Sequence, residues 1–167
     1  EMALRAAMTG HQVYSTLHTN SALGAIPRLL DIGVVPDIMA GNIIGVVAQR
    51  LIRRLGVHCR EQYQPNDIEK RILGVAHMEN HTVYRAVGCD HCDHSGYKGR
   101  LALLEILRID PDMDELIARR ATMRELQTLA TEKGFVTLAE DGIRRILCGD
   151  SSLDEITRLI DLTNRVV

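Results

Sequence analysis

The chain has 167 residues, of which 46% are apolar and 25% are charged, and its formal net charge is −2. This length and composition are typical of a globular protein with one good core or two small ones, and they exclude a disordered chain. The near-neutral charge, the single Phe and the lack of Trp argue against a nucleic-acid-binding protein. No apolar run reaches the roughly 18 residues of a membrane helix.

The first predicted element is a helix over residues 1–8, where apolar residues recur at helical spacing until Gly10 ends it. The helix opens without an initiator Met or a capping residue, so we expect the chain to be a fragment of a longer protein. A short strand is predicted over residues 12–17, because this run contains Val, Tyr and Thr and is entered through Gly10.

Residues 9–20 hold the densest group of chemically capable side chains. Two histidines and three hydroxyls lie at or near the ends of the predicted strand: His11, Ser15, Thr16, His18 and Thr19. In open α/β sheets the functional edge lies outside the carboxyl ends of the strands, so the last four of these side chains are expected there together. The alternative is an ordinary strand with a surface histidine at each end.

A second helix is predicted from a cap at Asn20 or Ser21 to about Ile32, with Gly33 as its left-handed stop. Helix, strand and helix in succession are typical of an α/β layer. A long helix is then predicted over residues 36–55, apolar in its first half and basic in its second.

Three arginines occupy the basic half of this long helix: Arg50, Arg53 and Arg54. One interpretation is contact with phosphate or with an acidic partner, and Arg50 is then the candidate nucleotide-binding residue. The other, which the pattern favours, is a solvated helix end that complements the helix dipole.

Residues 56–100 differ from the rest because they are polar and rich in His and Cys. One short helix is predicted over residues 66–75, with Asn66 or Asp67 as its cap. We expect this segment to be a small inserted module.

Cys89 and Cys92 have the Cys-x-x-Cys spacing of a zinc knuckle, in which two thiolates close on one ion. Cys59 is a third potential ligand, and His58 is the leading candidate for a fourth. Weaker candidates for the fourth ligand are His77, His81, His91 and His94. The alternative is three reduced, packed cysteines without metal.

Cys148 is interpreted as a core residue. The cysteine usage of the chain favours a reducing, cytoplasmic compartment.

The last third of the chain carries clear local signals. A strand is predicted over residues 100–109, followed by a helix that Asp110 caps and Pro111 opens. Three capping boxes then begin three helices, at residues 122–125, 137–140 and 152–155. Gly134 and Gly149 are expected to end the first two.

Five segments, in order along essentially the whole chain, together resemble the secretion ATPase family of type II secretion and type IV pilus assembly. They are residues 9–20, 28–33, 48–55, 84–92 and 96–100. The resemblance implies the C-terminal part of such an ATPase, with an α/β fold. The implied domains are the C-terminal part of a RecA-like core with its histidine box over residues 1–55, a cysteine module over residues 56–100 and a C-terminal strand and helical bundle over residues 101–167.

The resemblance also implies roles for the side chains of residues 9–20. His11 and His18 match the two histidines of the family's histidine box, and His18, beside Thr19, is expected nearest the γ-phosphate as a sensor. An imidazole there can report on phosphate or hold the attacking water, because phosphoryl transfer depends on positioning and electrostatics. The expected nucleotide-binding residues are Ser15, Thr16 and Arg50.

By the same resemblance, the complete protein is a homohexamer that uses Mg-ATP to drive assembly of pilins or pseudopilins and protein export. It would lie on the cytoplasmic side of the bacterial inner membrane, docked on an inner-membrane platform protein. The family's zinc module matches at Cys59, Cys89 and Cys92. It departs at Gly56, where the family's first cysteine would stand.

The sequence contains no Gly-x-x-x-x-Gly-Lys-Ser/Thr phosphate loop. Because that loop and the Walker B acid would lie upstream, we expect the chain alone neither to hydrolyse ATP nor to bind it tightly. The alternative function is a free-standing zinc-binding interaction module without nucleotide chemistry. A pilus retraction motor is disfavoured, because that branch lacks the cysteine module.

Overall fold

A computed structural model describes residues 2–77 and 81–163 of the chain. The helices are α1 (Met2–Met8), α2 (Ala25–Asp31), α3 (Pro36–Met39), α4 (Asp67–Leu73), α5 (Pro111–Ala118), α6 (Met123–Glu132), α7 (Leu138–Leu147) and α8 (Leu153–Leu159). The strands are β1 (Gly45–Leu55), β2 (Glu61–Tyr63), β3 (Val83–Arg85) and β4 (Tyr97–Arg108). Among these described helices, none has the length and apolar character needed to cross a bilayer.

The chain divides into two compact units, each built from two separate stretches. The first unit contains the residues up to Ala48 together with Glu105–Thr137. The second contains Gln49–Leu104 together with the residues from Leu138 onward. This mixture of helices and strands confirms the α/β class. The RecA-like core, the C-terminal bundle and the three-domain division stay predictions; the region over residues 101–167 also includes four residues outside the described part.

Helix α5 organises the first unit, because it packs against both α3 and α6. Its inward side chains Met113 and Ile117 are almost completely buried. Two hydrogen bonds link segments of this unit that are distant in the sequence. The Gly41 N–H donates to Asp114 at 2.8 Å, and the Ala22 N–H donates to the buried Glu105 carboxylate at 2.6 Å.

In the second unit, β2 and β3 pair antiparallel, with Gln62 opposite Tyr84. Strands β1 and β4 are neighbours in a second two-stranded sheet. The buried apolar side chains of the second unit include Ile52, Leu55, Leu103, Ile146 and Ile156. Helices α7 and α8 pack against each other, and α7 also contacts β3.

The helix predicted over residues 1–8 is confirmed from Met2, since Glu1 lies outside the described residues. The strand predicted over residues 12–17 is wrong, because this stretch has no regular secondary structure. Tyr14 is 85% exposed. A strand needs a neighbour to accept and donate its backbone hydrogen bonds, and the described part of the chain supplies none here.

The second predicted helix begins later than expected, at Ala25. Ser21 caps the preceding turn instead, since its Oγ accepts the Gly24 N–H at 3.0 Å. The left-handed stop at Gly33 is confirmed by a φ of +90°.

The long helix predicted over residues 36–55 is wrong. Only α3 forms at its start. The helix ends at Met39, and Gly41 shortly after it has a φ of +75°. Residues 45–55 form β1 instead of a helix, and Ala48, Ile52 and Leu55 are its buried residues. The β-branched residues of this run fit a strand, and a continuous apolar run does not distinguish a strand from a buried helix by periodicity.

Most of the predicted caps are confirmed, and the capping box over residues 137–140 stays a prediction. Asn66 begins α4 and Thr122 begins α6, each with a complete capping box, and Asp110 caps α5. Ser152 accepts the Glu155 N–H as expected, but the Glu155 carboxylate turns away to an arginine instead of completing the box.

Three further predictions have mixed outcomes. The strand predicted over residues 100–109 is confirmed as β4, although it begins three residues earlier, at Tyr97. Gly134 and Gly149 adopt the left-handed conformation that ends a helix. The core assignment of Cys148 is wrong, because this residue follows the end of α7 and is exposed.

Candidate functional site

Three thiols of the second unit come together. The Cys59 Sγ lies 3.6 Å from the Cys92 Sγ, and the Cys89 Sγ lies 3.9 Å from the same atom. All three sulfurs lie within 4.8 Å of one another. The structure therefore groups the two cysteines of the Cys-x-x-Cys motif with Cys59, which is thirty residues away in the sequence.

A tight turn positions Cys89 and Cys92, which are joined by a short 3₁₀ helix over Asp90–Cys92. Glycines at positions 88 and 96 allow this turn. Both have positive φ, and a Cβ at Gly88 would lie 2.5 Å from the His94 carbonyl oxygen. A Cβ at Gly96 would lie 2.6 Å from the Ala86 Cβ. No other residue type fits these two positions without displacing the backbone that carries the thiols.

A second turn positions Cys59. The Gly56 carbonyl accepts the N–H groups of Cys59 and Arg60, at 3.2 and 2.9 Å. The Gly56 N–H in turn donates to the Gly96 carbonyl at 2.9 Å. This last hydrogen bond joins the Cys59 turn directly to the turn that carries Cys92.

The backbone favours a thiolate at Cys92, which is 5% exposed. The amides of Cys89 and Gly96 both donate to its Sγ at 3.2 Å. Burial raises the pKa of Cys92, but these amide hydrogen bonds outweigh it and lower the pKa to about 7. At Cys59, burial and the hydrogen bond with Cys92 raise the pKa to about 11.

The sulfur arrangement fits a tetrahedral zinc ion. A Zn–S distance of about 2.3 Å in a regular tetrahedron separates the sulfurs by roughly 3.8 Å. The Cys59–Cys92 and Cys89–Cys92 separations of 3.6 and 3.9 Å bracket this value, and the third pair lies within 4.8 Å. A bound cation would also favour the thiolate form of all three cysteines, Cys59 included.

The predicted fourth ligand is not part of this group. Among the described residues, no His, Asp or Glu atom joins the three sulfurs within 4.8 Å. The ring of His58 lies against that of His91, with centroids 4.7 Å apart. His94 faces Asp90, with 3.2 Å between Nε2 and Oδ1. The weaker candidates His77 and His81 are likewise outside the group.

A cavity of about 280 Å³ adjoins the three thiols. Besides Gly56 and the cysteines, its wall includes four basic side chains: Arg54, His58, His91 and Lys98. His58 and His91 were predicted from the sequence as possible ligands, whereas Arg54 and Lys98 were not connected with the metal. The Lys98 ammonium also donates to the His91 carbonyl at 2.8 Å. Arg54 lies on β1 and Lys98 on β4, so no motif in the sequence marks these two as neighbours of the cysteines.

Arg53 was also misinterpreted, since it is no solvated helix end. Its backbone N–H, Nε and guanidinium donate to Glu155, which is 1% exposed. Arg158 donates to the same carboxylate. Burial opposes ionisation of Glu155, but the hydrogen bonds from Arg53 and Arg158 lower its pKa to about 2. This pair fixes the end of β1, three residues before Gly56.

The residues predicted to bind nucleotide lie in the irregular stretch before α2 or on β1. His11, Ser15, Thr16 and His18 are exposed in the irregular stretch before α2. His11 contacts Thr9, with 3.1 Å between Nδ1 and Oγ1. The Thr19 hydroxyl donates to the Ser21 carbonyl at 3.0 Å, and Arg50 on β1 donates to the Gln49 carbonyl at 3.0 Å. Their nucleotide roles stay predictions.

Comparison with known proteins links the chain to secretion systems. The family model for type II/IV secretion system proteins matches residues 1–158. The chain is 40% identical over 97% of its length to the type IV pilus assembly ATPase TfpB of Acinetobacter baylyi. It is 40% identical over 95% of its length to the type II secretion system protein E of Pseudomonas aeruginosa, and 39% identical over 93% to the type IV pilus assembly ATPase PilB of Thermus thermophilus. It spans 28%, 32% and 18% of these relatives, respectively.

Proposed function

The chain belongs to the type II/IV secretion system protein family, and from this membership we propose that it is part of a motor ATPase for secretion or pilus assembly. The motor couples ATP hydrolysis to the assembly of pilins or pseudopilins and to protein export. The observation that carries the proposal is the family match over residues 1–158. A pilus ATPase and a type II secretion protein are each 40% identical to the chain, so the proposal covers both systems.

The extent of the match favours the motor over a free-standing zinc module. A module of that kind would need only the cysteine region, whereas the family model also covers residues 1–55 and most of the last third. The retraction-motor alternative is not carried forward, because the three-thiol cluster is present.

In the proposed motor, residues 9–20 contribute the sensing edge of a nucleotide site. His18 and Thr19 act near the γ-phosphate of Mg-ATP, and His11 supports them. Ser15, Thr16 and Arg50 contribute further contacts to the nucleotide. The exposure of His11 and His18 supports this assignment, because groups that act on a bound phosphate must be accessible to it.

The complete protein works as a homohexamer at the cytoplasmic face of the bacterial inner membrane, where it docks on an inner-membrane platform protein. The 167-residue chain alone does not hydrolyse ATP, because the nucleotide phosphates are bound by a phosphate loop that its sequence does not contain. Nucleic acid is not a partner.

The proposal includes a zinc ion held by Cys59, Cys89 and Cys92. Zinc would supply a crosslink between the turn at Gly56 and the turn at Gly96, which a hydrogen bond already joins. The sulfur separations support this assignment, because they match those of a tetrahedral site.

The motor proposal is tested with the full-length protein and a His18→Ala variant. We expect ATP turnover to fall more than ATP affinity, since the imidazole acts on the phosphate rather than on overall binding. His77→Ala, which removes another exposed histidine from the cysteine module, is the matched control and should leave turnover unchanged. Equal turnover in His18→Ala and the parent would refute the sensor role, and a micromolar Kd for ATP on the isolated chain would refute its inactivity.

A further inference from the structure

We propose that the metal held by Cys59, Cys89 and Cys92 takes its fourth ligand from outside this chain, as the thiolate of a small-molecule thiol that enters through the adjoining cavity. This inference rests on the zinc site of the proposed function and is independent of the ATPase activity.

The backbone at Gly56 is the first reason. A Cβ built on Gly56 would lie 3.1 Å from the Cys59 Sγ, so a side chain at this position would project into the sulfur cluster. Glycine has no side chain to donate. Position 56 therefore lies close enough to the sulfurs for a side chain there to reach the metal, but its glycine supplies no ligand atom.

The cavity gives the second reason. Its wall includes Gly56 and all three cysteines, so a molecule inside it can reach the side of the cluster where Gly56 lies. Zinc sites with three protein ligands and an accessible fourth position are typical of exchangeable coordination, whereas structural sites are closed by four protein ligands.

The charges around the cavity favour an anionic ligand. Three thiolates on a divalent cation leave one net negative charge, and a fourth thiolate makes two. Arg54 and Lys98 on the wall offset this charge. A soft metal site of thiolates prefers another sulfur to oxygen, so we assign a thiolate rather than a carboxylate or phosphate.

The histidines do not fill the position in this structure. His58 and His91 contact each other and lie outside the group of ligand atoms. On binding, the thiol releases its proton to solvent and its sulfur forms the fourth bond to the metal. No group is oxidised or reduced.

The test uses the 167-residue chain, reduced with a phosphine so that no other thiol is present, and loaded with Co²⁺ in place of zinc. Sulfur-to-cobalt charge-transfer absorption reports the sulfur ligands. We expect glutathione to increase this absorption saturably in the parent chain. S-methylglutathione, which carries no free thiol, should produce no change.

Two variants separate coordination from bulk. Gly56→Cys should begin with the higher absorption and lose its response to glutathione, because its own thiolate is the fourth ligand. The φ of Gly56 is not in the left-handed region, so the backbone conformation permits a side chain, whose Cβ would lie 3.1 Å from the Cys59 Sγ. Gly56→Ala adds only the Cβ, which would lie 3.1 Å from the Cys59 Sγ, so it should weaken the response without the higher starting absorption of Gly56→Cys.

Several results would overturn the inference. They are a parent chain that does not respond to glutathione, an equal response to S-methylglutathione, a Gly56→Ala chain that starts with the higher absorption of Gly56→Cys, and a cobalt spectrum that His58→Ala or His91→Ala changes before any thiol is added. If the chain binds no cobalt or zinc, both the inference and the zinc site are wrong. The ATPase proposal is then untouched, because turnover of the full-length protein tests it separately.

Discussion

Replacing Glu155 with glutamine removes the charge that holds the end of β1 to α8. The carboxylate accepts from the Arg53 backbone N–H at 2.9 Å, from the Arg53 side chain at 2.6 and 2.8 Å, and from Arg158 at 3.0 Å. Glutamine keeps the shape of the side chain. It offers only one acceptor oxygen, however, and its amide places donors against the arginines.

The magnitude follows from the pKa of Glu155. A pKa lowered from 4.5 to about 2 corresponds to roughly 3 kcal/mol of preference for the charged form in the folded protein. The side chains of Arg53 and Arg158 are about half exposed, so solvent screening reduces the effect. We expect Glu155→Gln to lower the free energy of unfolding at pH 7 by about 2 kcal/mol.

Urea unfolding of the parent and variant as a function of pH measures this contribution. Because folding lowers the pKa of Glu155, its contribution is complete above pH 4.5 and is lost as the pH falls toward 2. The difference between parent and variant should therefore shrink over that range. Asp154→Asn, which changes an exposed carboxylate on the same helix, is the control. A Glu155→Gln effect no larger than that of Asp154→Asn, or one independent of pH down to pH 3, would refute the reasoning.

Three further predictions concern the turns and the metal. Gly96→Ala should destabilise the protein more than Gly99→Ala, since both have positive φ but only Gly96 has no room for a Cβ; equal losses in urea unfolding would contradict this. Thr122→Ala should cost about 1 kcal/mol in the same assay, because α6 loses its cap, and an unchanged stability would show that the cap contributes nothing. Cys92→Ser should lower bound zinc, measured by elemental analysis, whereas Cys148→Ser, at an exposed position away from the cluster, should not; equal zinc in both would remove Cys92 from the site.

The hydrogen bonds of the second unit link the buried ion pair to the cysteine cluster. Glu155 binds Arg53. Two residues further along β1, the N–H of Leu55 donates to the carbonyl of Asp150. Gly56 follows and joins the Gly96 turn. Successive hydrogen bonds thus run from the buried ion pair to the turn that carries Cys59.

Helix starts at capping residues were the best-predicted part of the fold. Asn66, Asp110 and Thr122 begin helices where the sequence places them, because a cap depends on groups within three residues of it. The Cys-x-x-Cys turn was recognised for the same reason, since its spacing alone brings two thiols together.

The strands were predicted less well. Residues 45–55 were assigned to a helix because an apolar run of this kind does not show which neighbour will pair with it. Residues 12–17 were assigned to a strand, although nothing within the described chain pairs with them. Strand formation is decided by hydrogen bonds to distant segments, which a local pattern does not contain.

The sequence by itself determined the family, the caps and the identity of the three cysteines, because these depend on residue type, order and short spacing. Only the tertiary structure decided that Cys59 joins Cys89 and Cys92, that Arg53 pairs with a buried Glu155, and that Gly56 lies beside the sulfurs. The first two contacts join residues separated by 30 to about 100 positions, and the third depends on how the turn at Gly56 folds back on Cys59. Their formation depends on how turns and helices pack in three dimensions, and no local periodicity encodes that packing.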